Sequence, residues 1–257
     1  MWSHLAALAG RRWRHAEASQ RYREALRIHE ETGNLHHASV ARLGLAMREI
    51  DAGQAVGAET SLRAVRDHER RSGNRRLQAF AEAGLAAAAH DRGDLRAARR
   101  HLAETAALFA GRDRVHEAAG LATSAVVDHE AGDLDGARAG LVEALVSLAD
   151  VGDRSLLAFA EAQLGAVMSD QADVDGALAA FDRARKHAER ASMESQLALQ
   201  DLLRGFLDLA RARNAKDPTA RAHHRDAAKA RLEARSAVEG SHHRIARRRL
   251  RARLSMA

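Results

Sequence analysis

The chain repeats itself around residues 93–132, GDLRAARRHLAETAALFAGRDRVHEAAGLATSAVVDHEAG, at intervals close to 40 residues. Counted from Gly93, this stretch has a small residue five positions on (Ala98), a large apolar residue nine on (Leu102) and Thr105 twelve on. Spacings of four and three lie along one face of a helix, and a stripe this narrow is buried only when copies stack. The corresponding residues of the other copies are Ala18, Tyr22 and Ala25 from Trp13; Ala58, Leu62 and Val65 from Gly53; Ala137, Leu141 and Ala144 from Gly132; and Ala177, Phe181 and Ala184 from Ala172.

Two breaks divide each copy into two helices. The first break carries the turn glycine, or Ala172 in one copy, and is often followed by an acid that can cap the next helix, as Asp94, Asp133 and Asp173 do. A glycine suited to a left-handed helix end marks the second break at Gly33, Gly73, Gly111 and Gly152. The predicted helices of the clearest part are 35–52, 54–72, 75–92, 94–110, 113–131, 133–150, 153–171 and 173–191.

These residues give the chain a family resemblance. A turn glycine with an acid, then Ala, Leu or Phe, and Ala resembles the tetratricopeptide repeat, in which a Leu-Gly pair precedes the turn by eight and seven residues. Leu164-Gly165 matches that pair, Leu45-Ala46 and Leu85-Ala86 match with alanine for glycine, and Ser124-Ala125 matches half of it. The period is near 40 rather than about 34, most of the family's aromatic residues are missing, and its late proline is absent. The resemblance covers roughly residues 10–215 and is closest to the longer-helix variant of bacterial regulators. It implies an all-α, right-handed superhelical solenoid of antiparallel helix pairs that holds other proteins.

Two predicted regions follow. Residues 1–216 form the repeat array of about five and a half helix pairs, the last helix running from Met193 to about Asn214. Residues 217–257 form basic helices that complete and cap it, the first from Pro218 to Glu239, with Asp217 as its N-cap. At the other end, residues 3–9 fit a short helix capped by Ser3. Either Trp2, Leu5 and Leu8 cap the array there, or further chain or a partner covers it.

Composition excludes several kinds of chemistry. The absence of cysteine removes disulfides, thiol catalysis and thiolate metal sites, and fits a reducing compartment. No apolar run reaches the roughly 20 residues of a membrane span, and the N-terminal charges follow the apolar stretch, unlike those of a signal peptide. We therefore expect a cytoplasmic protein. Phosphate loops, nucleophile elbows and metal-binding histidine motifs are missing, so we expect neither enzymatic activity nor a metal or cofactor.

An acid stands two residues before each turn origin. The four are Asp51, Asp91, Glu130 and Asp170, preceded by His90 and His129 in two copies. Each acid opposes the helix dipole at a cost of about 0.3–1 kcal/mol, which suggests a use. The family resemblance places this position on the concave face, where a row of acids would attract a basic segment of a protein partner. The alternative is that they are solvated turn residues.

The C-terminal region carries the opposite charge. Residues 211–257 hold 14 Lys and Arg against four Asp and Glu, so the first 210 residues carry a net −4 of the total +6. Arg247, Arg248, Arg249, Arg251 and Arg253 form a possible anion-binding cluster. Three alternatives stay open: the tail caps the array, binds nucleic acid, or folds back into the acidic groove.

The sequence therefore predicts a protein-interaction module or scaffold, as in the sensor regions of bacterial signalling or transcription-regulatory proteins. It does not identify the partner, or whether the chain is part of a larger regulator. The alternative function is a nucleic-acid-binding accessory protein that acts through the Arg-rich C-terminal helix.

Overall fold

A computed structural model describes residues 15–191, 193–234 and 240–256, with side chains from Glu17 onward. The predicted helix at 3–9, its apolar residues Trp2, Leu5 and Leu8, and the origin Trp13 lie outside the described residues. The described chain is α-helical and divides into two compact units, residues 1–112 (unit 1) and 113–257 (unit 2). Unit 1 contains α1 (His15–Glu31), α2 (Leu35–Asp51), α3 (Ala55–Ser72), α4 (Arg75–Asp91) and α5 (Leu95–Phe109). Unit 2 contains α6 (Arg114–Glu130), α7 (Leu134–Val151), α8 (Arg154–Asp170), α9 (Val174–Arg190), α10 (Glu194–Asn214), α11 (Pro218–Glu233) and α12 (Ser241–Met256).

Within each unit, consecutive helices pack side by side as antiparallel pairs, which confirms the predicted all-α solenoid class. In addition, α2 contacts α4 in unit 1, while α6 contacts α8 and α8 contacts α10 in unit 2. We call these five the inner helices, because each packs on the like helix of a neighbouring pair. The boundaries of the helices predicted between residues 35 and 191 agree with the structure to within one or two residues.

The turns form as their residues predict. Gly33, Gly73, Gly111 and Gly152 all have positive φ, between 67° and 75°. The first-break acids cap the next helix: Asp94 accepts a hydrogen bond from the Ala97 amide at 2.9 Å, and Asp133 and Asp173 accept equivalent bonds. Ala172 keeps the left-handed conformation of the other copies, with φ of 63°, although it has a side chain.

The apolar stripes form the core of each unit. Ala98 and Ala137 are both fully buried, as are Leu62 of unit 1 and Leu141 and Phe181 of unit 2. The small residue is therefore buried on the core-facing side of its helix, and a close helix approach there stays a prediction.

Close helix contacts also occur at glycines, but not always at the predicted one. A Cβ on Gly165 of the Leu164-Gly165 pair would lie 3.0 Å from the Phe181 ring. In the matching copy with Leu85-Ala86, the close approach is instead at Gly84, whose added Cβ would lie 2.7 Å from Leu62. The sequence pair therefore marks the right helix turn, and the contact shifts between neighbouring small residues.

We expect Ala137→Leu to lower the free energy of unfolding by roughly 1–3 kcal/mol, because extra methylenes must displace packed neighbours. Ala137 is 0% exposed on α7, whereas Ala139 of the same helix is exposed, so Ala139→Leu is the matched control. Urea unfolding followed by circular dichroism measures both variants. Equal midpoints would show that Ala137 does not lie at a tight contact.

Three helices end unit 2. Helix α11 packs on α10, and the Arg231 guanidinium donates to the Asp208 carboxylate at 2.6 Å. Helix α11 ends at Glu233. Its predicted span continued to Glu239, but residues 235–239 are outside the described part. Helix α12 packs on both α10 and α11. No described helix is long and apolar enough to cross a bilayer.

Candidate functional site

The predicted acids all occupy one structural position. Asp51, Asp91, Glu130 and Asp170 are the last residues of the inner helices α2, α4, α6 and α8. Two belong to each unit, so the structure describes two pairs. The preceding histidines are buried, His90 at 4% and His129 at 1% exposure. In unit 1 the Arg48 guanidinium lies 3.0 Å from the Asp51 carboxylate, one turn earlier on the same helix.

In unit 2 the Arg-rich helix lies against these positions. Arg248 of α12 donates two hydrogen bonds to the Glu130 carboxylate, at 2.8 and 3.0 Å. Arg253, five residues later, donates from Nε to Asp170 at 2.9 Å. Two members of each residue set that the sequence presents as separate sites therefore meet in unit 2. This is the arrangement expected if the tail folds back onto the acids.

Apolar contacts hold the same face of α12. Ile245, Ala246 and Leu250 are buried. The Leu250 side chain packs directly on Gly205 of α10, and a Cβ added to Gly205 would lie 2.5 Å from it. His242 stacks at a tilt on Phe159 of α8, with ring centroids 5.0 Å apart. The helix thus combines buried apolar residues with arginine–carboxylate pairs, and both sets of contacts hold it on the inner helices.

Arg249 is the most deeply buried arginine in the part of the chain that the structure describes. It is 5% exposed, its guanidinium lies 5.4 Å from the centre of the Phe206 ring, and it donates to the Gln163 side chain at 3.2 Å. It also hydrogen-bonds to Nδ1 of His129. Burial lowers the pKa of Arg249 to about 10, against the opposing charges of Glu130 and Asp170, so the guanidinium stays protonated at neutral pH.

The partners of His129 define its tautomer. Arginine only donates hydrogen bonds, so Nδ1 must accept from Arg249 and the ring proton sits on Nε2. Nε2 then donates to the Asp170 carboxylate at 2.9 Å. Burial, and then the charge of Arg249, lower the pKa of His129 to about 4, although the hydrogen bond to Asp170 opposes this. At neutral pH the ring is a neutral bridge between a buried cation and a buried anion.

Asp170 joins the parts of the site. Its side chain is 5% exposed and accepts hydrogen bonds from His129 and Arg253. The Arg213 guanidinium lies 3.7 Å from the same carboxylate. Burial opposes ionisation of this carboxyl. The hydrogen bonds from His129 and Arg253, together with the charge of Arg253, outweigh that effect and hold the pKa of Asp170 below its ordinary value. Removing the carboxylate would leave several positive charges without their shared counter-ion.

The remaining residues of the predicted arginine cluster lie apart from the acids. Arg247 donates to the backbone carbonyls of Leu232 and Ala234 near the end of α11, and Arg251 is exposed. Among the described residues, no group of three or more His, Asp or Glu side chains is placed to hold a metal ion.

Three contributors were not predicted from the sequence: Gln163, Phe206 and Gly205. One signal was present. Gln163 is an uncharged polar residue within residues 162–168 of α8, whose other members are apolar residues and one glycine, and it is 2% exposed. A buried amide requires a partner, which here is Arg249.

The His129 pKa predicts a pH dependence. The folded-state pKa is about 4, below the usual 6.5, so between these values the unfolded chain binds the extra proton and stability falls as pH falls. The groups around the ring are Asp170 from α8, Arg249 and Arg253 from α12, and Phe206 from α10. Between pH 7 and pH 5 we expect a loss of about 2 kcal/mol in the free energy of unfolding.

Urea unfolding at pH 7 and pH 5 measures this effect. The His129→Gln variant should lose most of the difference, whereas His187→Gln, at a less buried ring on α9, should retain it. A parent protein equally stable at both pH values would contradict the assignment.

Comparison with known proteins confirms the fold. No protein-family model matches the chain, and no curated protein matches it. Among solved structures, the chain is similar to a Rap protein complexed with competence and sporulation factor, with a TM-score of 0.74 and 15% identity. The match covers 90% of this chain and 63% of that chain, so this chain spans less than two thirds of the neighbour's length. The likeness supports a tetratricopeptide-like helical repeat, and the long-period variant stays a prediction.

Proposed function

We propose that the chain is a protein-interaction module, and that its inner helices bind a basic segment of a partner at the acids that end them. One observation carries this proposal: in unit 2 these positions already hold a helical protein segment, α12, through Arg248–Glu130 and Arg253–Asp170. The site is built to satisfy guanidinium groups on a helix. The Rap protein of the same fold was solved with a bound factor, which agrees with a binding role.

The proposed biological setting follows from the resemblance to the tetratricopeptide repeat. We propose a sensor or scaffold part of a bacterial signalling or transcription-regulatory system, working in the cytoplasm by binding rather than by catalysis. The array and basic tail divide at about Asp217 in this proposal, with residues 217–257 serving unit 2 as its last helices.

The nucleic-acid alternative has weaker support. Arg248, Arg249 and Arg253 face carboxylates, a histidine and an amide, so they are not arranged toward a phosphate backbone. Arg251 is exposed, and its replacement by alanine would reduce the salt dependence of any binding to duplex DNA. A fluorescence titration of nonspecific DNA against salt, with the parent and Arg251→Ala, tests that alternative.

The protein-binding proposal is tested by affinity capture from the source organism with the full chain as bait. Two variants separate the units: Asp51→Asn with Asp91→Asn in unit 1, and Glu130→Gln in unit 2. Glu143→Gln, at an exposed acid of α7, is the matched control. We expect a partner that the parent and the control retain and that at least one acid variant loses. Equal recovery with all chains, or no specific partner, would reject the proposed function.

A further inference from the structure

The contacts of α12 extend further than those of a helix that only covers the last helix pair. A helix that only covered the last pair would contact α10 and α11. Helix α12 also places Arg248 on Glu130 and Arg249 on His129, both in α6, which lies two pairs back in the chain. Its polar contacts therefore reach α6 and α8, and its contacts with α10 are made by Leu250 at Gly205 and by Arg249 at the Phe206 ring.

The spacing of the two paired arginines matches the spacing of the helices they reach. Arg248 and Arg253 are five residues apart, about 7.5 Å along a helix axis. Their partners Glu130 and Asp170 end two packed inner helices, whose axes lie about 8–10 Å apart in such contacts. One arginine is thus presented to each helix end, and Leu250 lies between them on the apolar seam.

The chemistry of the site selects its occupant. Two carboxylates and the lone pair of His129 accept hydrogen bonds, while Gly205 and Phe206 offer an apolar floor. A phosphate-bearing ligand would meet like charge there, whereas a guanidinium forms paired, directional bonds. The site therefore fits a cationic amphipathic helix.

We propose that the inner face of unit 2 is a docking site for an arginine-bearing amphipathic helix of a partner protein, and that α12 is the resident segment which this helix displaces. The inference rests on the proposed function and specifies its ligand. The partner helix carries arginines five residues apart and an apolar residue between them, as Arg248, Leu250 and Arg253 do. Because α12 belongs to the same chain, it competes intramolecularly with an added helix.

The test uses a probe of known sequence, a fluorescein-labelled synthetic peptide of residues 240–257, and full-length chains. Arg248→Ala with Arg253→Ala weakens the resident segment. Arg225→Ala with Arg251→Ala removes two exposed arginines and the same charge, and is the matched control. We expect fluorescence anisotropy to show at least about tenfold tighter peptide binding by the weakened variant than by the parent or the control.

Two further measurements locate the binding. Adding Glu130→Gln to the weakened variant should reverse most of the gain, and a peptide with alanine at both positions 248 and 253 should bind about tenfold more weakly. If the double variant loses helical content by circular dichroism, Arg248→Ala alone replaces it, since that side chain is 36% exposed and its loss is tolerable.

Peptide binding that is equal in the weakened variant, the control and the parent would overturn the inference, and so would binding unaffected by Glu130→Gln. Sedimentation tests whether α12 of a second copy of the chain occupies the site. A concentration-dependent dimer of the parent that is lost in the weakened variant would assign the site to exchange of α12 between copies instead. The capture experiment decides the proposed function separately, because it identifies a partner whether or not this peptide binds.

Discussion

Asp170→Ala should lower the free energy of unfolding by about 2–4 kcal/mol, because it leaves the buried Nε2 of His129 without an acceptor and Arg253 without its counter-ion. The carboxylate is 5% exposed and is the shared acceptor for His129 and Arg253. Arg249, also buried, depends on the same network through Nδ1 of His129. Without Asp170, Nε2 of His129 loses its acceptor and α12 loses one of its two arginine–carboxylate pairs.

Urea unfolding of the full chain measures this change. Glu143→Ala, at an exposed carboxylate of α7, should stay within about 0.5 kcal/mol of the parent. Adding Arg253→Ala to Asp170→Ala should cost less than the two separate losses combined, because the pair is coupled. A loss below about 1 kcal/mol for Asp170→Ala would show that α12 does not rely on this carboxylate.

The fold could be predicted because its signals are local. Asp94, Asp133 and Asp173 cap the helices that follow them, and the turn glycines adopt positive φ, through contacts within a few residues. Repetition then reinforces each weak local signal, since a solenoid uses the same contacts in every copy. Gly84 shows the limit, because which small residue takes the closest contact depends on the facing side chain, Leu62.

The site could be predicted only in parts. Charge pattern identified Glu130, Asp170 and the arginines, but their pairing joins residues 83–120 positions apart in the chain. No periodicity fixes where α12 packs, since that depends on the apolar floor at Gly205 and on the inner helices of unit 2. The fold-back alternative followed from charge complementarity alone, and the contacts of Arg249 required coordinates.

Repeat comparison also exposes a position that breaks the pattern. Sixteen residues after the origins Gly93, Gly132 and Ala172 the chain has Phe109, Leu148 and Ala188, all buried, whereas the copies that begin at Trp13 and Gly53 have His29, which is half-buried, and Glu69. Glu69 is 2% exposed, and its Oε1 has no hydrogen-bond partner among the described residues. The ring of His68 lies 3.9 Å from that oxygen, and the Ser72 hydroxyl reaches Oε2 at 3.4 Å.

We therefore expect Glu69→Leu to raise the free energy of unfolding by about 1–4 kcal/mol, as when a buried charge is replaced by an apolar side chain of similar volume. Glu69→Gln should raise it less, because the amide removes the charge but still has polar atoms to satisfy. Glu104→Leu, at an exposed position of α5, is the matched control and should leave stability within about 0.5 kcal/mol. If urea unfolding shows Glu69→Leu to be destabilising, the carboxylate has a stabilising role in unit 1 that outweighs the cost of its burial, and the rule that equivalent positions share one chemistry fails in this copy.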